Sequence, residues 1–242
     1  MGKTTTLYAA LNELNTPEKK IITVEDPVEY RLPGLNQVQV HEKIDLSFSR
    51  VLRTALRQDP DIILLGEMRD QETAEIGMRA SMTGHLVLST LHTNDALTSP
   101  IRLLDMGVPR YMVAMSIQMV LAQRLVRVIC ENCSVPYVPA PHERLWLKSE
   151  LGDAVDGQSY RQGQGCSHCA NTGYSGRQAV YEQLEMSNTL VESLNRGDPN
   201  EFMALGREQM AGNTLRRDAV RLAATGRTTV LEAMRVSTQL DD

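Results

Sequence analysis

Four stretches of the 242-residue chain, apart from its cysteines, carry side chains able to do chemistry. The first is "MGKTTT", where Gly2, Lys3 and Thr4, with Thr5 beside them, match the tail of a phosphate-binding loop of the form G-x-x-x-x-G-K-[ST]. In such a loop glycines let backbone amides wrap a phosphate, the lysine reaches the β and γ oxygens, and the hydroxyl binds Mg2+. The match is short, but it heads an amphipathic stretch, and a helix N-terminus favours anions. The second stretch, "TVEDPVEY", groups Glu25, Asp26 and Glu29. Carboxylates this close repel, and Mg2+, a neighbouring arginine or water must relieve them. One of the three could position or deprotonate an attacking water; alternatively the group is a solvated turn begun by Asp26-Pro27. The third, "DIILLGEMRD", is an apolar run ending in an acid, Glu67, the form of a Walker B strand. The fourth, "TGHLVLSTLHTN", sets His85 and His92 at opposite ends of one run. His92, near Thr90 and Thr93, is suited to sensing a γ-phosphate; by itself His85 reads as a structural residue.

The four cysteines form two Cys-x-x-Cys pairs, Cys130/Cys133 and Cys166/Cys169. Thiolates at this spacing can close tetrahedrally on Zn2+, with His168 as a competing donor. The alternatives are buried thiols serving as small apolar residues, or a redox pair, which would expect a thioredoxin-like context. Residues 134–165 are punctuated by proline and glycine with little periodicity. The expectation is an irregular insert, short of apolar residues, whose ends a metal clips together in place of a core.

These groups need elements to hold them. Leu7, Ala10, Leu11 and Leu14 share a helical face that Pro17 ends, and "IITVE" follows as a buried strand. "FSRVLRTALR" is helical up to Asp59-Pro60, and "DIILLGE" is a second strand. "QETAEIGMRASMTG" is a helix closed by Gly84, and "HLVLSTLH" a third strand. Helices are predicted over 95–106 and 110–124, and again from 184 onward, where "TLRRDAVRLAATG" is capped by Thr214 and Gly226. The alternation predicts an α/β layer fold with a mainly parallel sheet, whose carboxyl edge is where such sheets bind ligands. Apolar residues at 42% suffice for a core. No apolar run reaches about 18 residues, and no secretory leader pattern opens the chain, so a cytoplasmic address without membrane insertion is expected. A net charge of −5 and 4% aromatics argue against nucleic acid as a partner.

Together, "GKTTTLYAALNELN", "TVEDPVEY", "ALRQDPDIILLGEMRD", "TGHLVLSTLHTND" and "AQRLVR" resemble successive boxes of the secretion ATPase superfamily, in the type II secretion and type IV pilus assembly branch (GspE/PilB type), and the resemblance fits a pilus assembly ATPase, such as the mannose-sensitive haemagglutinin kind, better than a retraction ATPase. The resemblance implies a RecA-like P-loop NTPase core over 1–129, a zinc-binding tetracysteine subdomain over 130–183 and a C-terminal helical subdomain over 184–242. It implies hydrolysis of ATP with Mg2+, driving pilin or pseudopilin assembly. The protein would act as a homo-hexamer at the cytoplasmic face of the inner membrane, on inner-membrane platform proteins. By this resemblance Gly2, Lys3, Thr4 and Thr5 fall in the Walker A box, and Glu25, Asp26 and Glu29 in the Asp box, with Glu29 matching the catalytic glutamate. Glu67 matches the Walker B acid, and His85 and His92 the His box. Arg53 and Arg57 match arginines that could act as fingers across a subunit boundary. The assembly branch carries a tetracysteine subdomain and the retraction branch lacks one.

In the family a complete glycine-rich loop stands here, behind a strand and an N-terminal domain, so the sequence reads as a C-terminal portion beginning inside that loop. Three or four missing charge-assisted amide bonds, at about 1.5 kcal/mol each, remove about 5 kcal/mol and leave weak ATP binding. The rival expectation is a zinc-stabilised docking module whose ATPase half is inert.

Overall fold

The computed structural model describes residues 2–238. Packing draws two units: Lys3–Val120 with Leu184–Gln209, and Leu121–Gln183 with Gly2 and residues 210–238. The segments of the two units interleave, with borders after Val120, Gln183 and Gln209; the expected division at 184 falls on one of these borders, and that at 130 lies within the second unit.

In chain order the first unit holds α1 (Lys3–Leu14), β1 (Ile21–Glu25), β2 (Asn36–Gln39), α2 (Phe48–Ala55), β3 (Ile62–Leu65), α3 (Gln71–Met82), β4 (Leu86–Ser89), α4 (Thr98–Asp105) and α5 (Arg110–Ser116). The strands form one sheet in the order β2-β1-β3-β4, and every pairing is parallel. Val24 lies between Val38 and Leu65, and Ile63 pairs with Val87. Strand alternation sends Ile21, Ile62 and Leu64 to one face, where Tyr8 and Leu11 of α1 cover them. Val24, Ile63 and Leu65 go to the other, against Val51 and Leu52 of α2 and Ala80 of α3. Burial on both faces is why β1 and β3 read as unbroken β-branched and leucine runs. Ser47 and Asp70 cap α2 and α3 by accepting from the amides of Arg50 and Thr73. Gly84, at φ +105°, turns the chain from α3 into β4.

Two expectations change here. Three strands were predicted and four are present, because β2 is a short polar strand, "NQVQ". The helix predicted over 110–124 stops at Ser116, and residues 119–129 are a strand.

The chain continues through β5 (Met119–Ile129), β6 (Ser134–Pro136), α6 (Pro141–Leu151), β7 (Arg161–Gly163), β8 (Tyr174–Glu185), α7 (Asn188–Arg196), α8 (Pro199–Met210), α9 (Leu215–Ala224) and α10 (Val230–Thr238). β5 pairs with β8, and β6 with β7 in antiparallel register, Val135 opposite Gln162. Helices α7 and α8 return to the first unit, burying Leu190, Leu194 and Phe202. In the second unit Val126 and Val180 pack against Leu215, Ala219, Leu222, Ala223, Ala233 and Val236. The stretch expected to be irregular contains α6, started by Pro141 and by the Glu143 carboxylate accepting from Ala140 N at 2.8 Å. Leu147, Val155 and Tyr160 pack with Val220, Ala224 and Val230. The expectation that metal replaces a core there is thus corrected: this stretch has one. Among the described residues no helix is long and apolar enough to cross a membrane.

Candidate active site and four-thiol centre

The carboxyl edge of the first unit's sheet is laced by short backbone bonds. Gly66, just past β3, donates to Val24 O at 2.8 Å, and a Cβ there would lie 3.2 Å from that same oxygen. A side chain would crowd this approach. Thr90 Oγ1 donates to Gly66 O at 2.7 Å and Met68 N to Thr90 O at 3.1 Å, joining the extensions of β3 and β4. The result puts Glu67 beside His92, with Oε2 3.0 Å from Nε2. The other oxygen of Glu67 accepts from Arg69 Nη2 at 2.5 Å, and Arg69 also reaches Asp26 at 3.9 Å. The Arg69 hydrogen bond, opposed by desolvation and helped by His92, holds the Glu67 carboxyl below its ordinary range. Its side chain is 13% exposed and that of His92 79%, so the acid is held while the imidazole faces outward.

Lys3, at the head of α1, donates from Nζ to Leu91 O at 2.5 Å, next to His92. Thr4 follows it on the helix, half-buried, and Thr5 is exposed. Gly2 takes φ +97°, which favours glycine. Asp26 and Glu29 are exposed in the loop leaving β1. An amine, an ionised carboxylate, an open imidazole and a guanidinium therefore share one sheet edge. That set can neutralise a polyphosphate, hold Mg2+ or orient a water.

Other expected site residues lie elsewhere. Glu25 is 3% exposed and accepts from the Tyr8 hydroxyl, from Thr23 Oγ1 at 2.5 Å and from Gln37 Nε2 at 3.2 Å. His85 stands at the opposite end of β4, its Nδ1 3.0 Å from Ala80 O and 3.2 Å from Thr83 Oγ1, closing α3. Arg53 pairs with Glu72. Arg57 is exposed in the turn after α2, beside Gln58, whose carbonyl accepts from Lys20 just before β1, at the amino edge. Among the described residues, the hydrogen bonds and ion pairs found for Glu25, His85 and Arg53 go to partners other than Glu67 and His92. Arg69, Tyr8 and Gln37 are the residues that motif reading passed over. Arg69 had a signal, two positions after the Walker B acid.

The four cysteine sulfurs all lie within 4.8 Å of one another. Cys130 and Cys166 Sγ are 3.9 Å apart, Cys133 and Cys169 3.9 Å, and Cys166 and Cys169 3.7 Å. A tetrahedral zinc with bonds of about 2.3 Å requires sulfur separations of about 3.8 Å. The two knuckles are tied by backbone: Cys130 N donates to Gly173 O at 3.0 Å, and Gln164 N to Cys133 O at 3.0 Å. A Cβ on Gly163 would fall 2.0 Å from Gly173 O, so that crossing requires glycine. The thiols share their charge unequally: burial, with the neighbouring thiols, pushes Cys133 up to about 11, whereas at Cys169 the amides of Cys166 and Gly173, with the thiols of Cys166 and Cys133, outweigh burial and bring it down to about 6. A thiolate is the form a metal takes. The donor set and the spacing fit zinc.

A parallel sheet with a lysine-headed first helix and an acid–imidazole pair at its carboxyl edge places the first unit in the RecA-like α/β class of P-loop NTPases. Within that class, the sequence profile described as "Type II/IV secretion system protein" matches residues 1–235, and the chain belongs to this family. "Type II secretion system protein E" of Dickeya dadantii is 46% identical over 239 residues, covering 98% of this chain and 46% of the relative. "Type II secretion system ATPase E" of Vibrio cholerae is 42% identical over 236 residues, again 98% of this chain and 46% of the relative. The chain thus spans less than half the length of these curated relatives. Among solved structures, the pilus retraction motor PilT with bound ADP superposes with a TM-score of 0.69 at 28% identity, covering 97% of this chain and 57% of that one. The Legionella pneumophila ATPase DotB, at 22% identity and a TM-score of 0.68, shares the fold.

Proposed function

We propose that the protein carrying this chain hydrolyses ATP with Mg2+ to drive pilin or pseudopilin assembly in a type IV pilus or type II secretion machine. The observation that carries this reading is the Glu67–His92 pair at 3.0 Å, with the Lys3 amine on the neighbouring carbonyl, at one edge of a parallel sheet. Lys3 exchanges that carbonyl for phosphate oxygens, and Thr4 offers its hydroxyl to Mg2+. Glu67, ionised at neutral pH, serves Mg2+ and the attacking water, while Asp26 and Glu29 add carboxylates from the loop beside it. His92 reports the γ-phosphate from its exposed position.

Arg53 and Arg57 stand away from their own chain's edge, so a finger role belongs to a neighbouring subunit of a homo-hexamer. Cys130, Cys133, Cys166 and Cys169 hold a structural Zn2+. The machine sits at the cytoplasmic face of the inner membrane, against platform proteins. The similarity to relatives named for type II secretion supports that family of machines.

The test is Mg2+-dependent phosphate release by the full-length protein. Glu67→Gln should lower kcat by about 10²-fold or more with an unchanged thermal midpoint. A folded Glu67→Gln protein with wild-type turnover would overturn the assignment.

A further inference from the structure

Glu25 is the one buried carboxylate of the first unit among the described residues, and each of its oxygens is engaged. Oε2 accepts from the Tyr8 hydroxyl on α1, and Oε1 from Thr23 Oγ1 on β1 and Gln37 Nε2 on β2. Gln37 extends the network into the loop after β1. Its Nε2 also donates to Tyr30 O at 3.2 Å, its Oε1 accepts from Leu32 N at 2.6 Å, and its carbonyl accepts from Arg31 Nη1 at 2.7 Å. The Tyr8 and Tyr30 rings meet edge to face, centroids 4.7 Å apart. This loop contains Asp26 and Glu29, and α1 carries Lys3 at its head, five residues or about 7–8 Å from Tyr8 along the helix.

We infer that Glu25, through Tyr8 and Gln37, is a positioning residue: it sets the lysine-bearing head of α1 against the acidic loop and does not itself touch the nucleotide. Three donors occupy most of the lone pairs of this carboxylate, which is 3% exposed, whereas Asp26, the next residue, is exposed. Buried networks that are fully satisfied hold one geometry, and a displacement of about 1 Å at a reacting group costs up to about 10² in rate. The inference rests on the ATPase reading above.

The test uses full-length Gln37→Met and Tyr8→Phe, which keep volume and leave Glu25 in place, alongside Glu25→Gln. Steady-state ATP hydrolysis should show kcat reduced about 10-fold to 10²-fold in Gln37→Met, with the KM for ATP and the Mg2+ requirement within about threefold of wild type. Amide exchange in the Gln37→Met protein should rise both in the loop at 28–33 and in the first turn of α1. A KM or Mg2+ requirement rising in step with the loss of kcat in folded Glu25→Gln would show that Glu25 binds the metal-nucleotide, and would overturn the inference. Unchanged kcat in Gln37→Met and Tyr8→Phe would do the same. If the wild type hydrolyses no ATP, the functional reading fails, and exchange then decides: a rise confined to the loop overturns the coupling of loop to helix.

Discussion

Replacing Arg127 by methionine should destabilise the second unit by about 2–3 kcal/mol. Glu232 is buried, its side chain 1% exposed, and Oε1 accepts from Arg127 Nη2 at 2.7 Å while Oε2 accepts from Arg127 N at 3.0 Å. Burial alone would raise this carboxyl; the Arg127 side-chain and backbone bonds, with Arg235 behind them, overcome it and leave the acid below its ordinary range. Removing one partner of a buried pair costs about 3–5 kcal/mol, because the remaining charge stays desolvated. Two features reduce that here. Arg127 is 44% exposed, so part of its attraction is already screened, and Arg235 Nη2 remains 3.2 Å from Oε2. The guanidinium also lies 4.0 Å over the Tyr174 ring, a contact worth about 0.5–1 kcal/mol at an exposed site.

Urea unfolding of wild type and variant at neutral pH reads the difference. The sign with pH follows from linkage: a depressed carboxyl contributes stability above its unfolded-state value and loses it as pH falls through the folded-state value, so the gap between the proteins should narrow in acid. Arg127→Met with Glu232→Gln should recover most of the loss, because the neutral amide removes the unpaired charge and keeps an oxygen for the backbone N of residue 127. A single-variant cost under about 0.5 kcal/mol, or a gap that widens in acid, would refute the reasoning.

Three further outcomes are expected. Protein purified without chelator should carry about one zinc per chain by elemental analysis; stripping it should raise amide exchange around 130–134 and 163–174 while α6 and α9 stay protected, because Leu147, Val220 and Ala224 hold those helices independently. In the full-length protein His92→Ala should lower ATP turnover about tenfold or more without shifting the thermal midpoint, as an exposed side chain contributes little to stability. Tyr8, pushed up to about 12 by burial and the Glu25 bond, contributes stability that is complete below its unfolded value near 10 and lost as pH rises through 12; the stability difference between wild type and Tyr8→Phe should shrink across that alkaline window, measured by urea unfolding.

Much of the first unit was legible because β1 and β3 are buried on both faces and α2 and α3 carry their own caps. Asp59-Pro60 and Gly84 mark boundaries that the chain observes there, as Thr214 does in the second unit. β2 was not legible: "NQVQ" holds a single apolar residue, the half-buried Val38, its one buried residue is Gln37, and it exists because β1 supplies its bonding edge. β5 was misread because "MVLAQRLVRVI" satisfies a helical spacing as well as an extended one, and only pairing with β8, far along the chain, decides between them. α6 was missed for the opposite reason. Its flanking prolines and glycines suggested a loop, and its apolar residues split between Leu147, buried, and Leu145, 74% exposed, so no clean stripe appears.

The site shows the same division between residue type and direction. Glu25 and Glu67 each end or follow a buried strand, and as letters they are interchangeable. What separates them is the company each keeps. Thr23, two positions earlier on the same face of β1, with Tyr8 one turn and a half into α1 and Gln37 on the neighbouring strand, brings three donors to Glu25 and draws it inward. Gly66, lacking a side chain, lets the chain after β3 press against the end of β1, and Thr90 fastens it there; Glu67 is left at the edge, where among the described residues Arg69 and His92 meet it. An acid at a strand end is therefore read as catalytic or structural from the polar residues two positions back and across the sheet, which are visible in the sequence once the register is known. Before the register is known they are only a threonine, a tyrosine and a glutamine in otherwise apolar surroundings, and that misplacement of polar groups is the signal to follow.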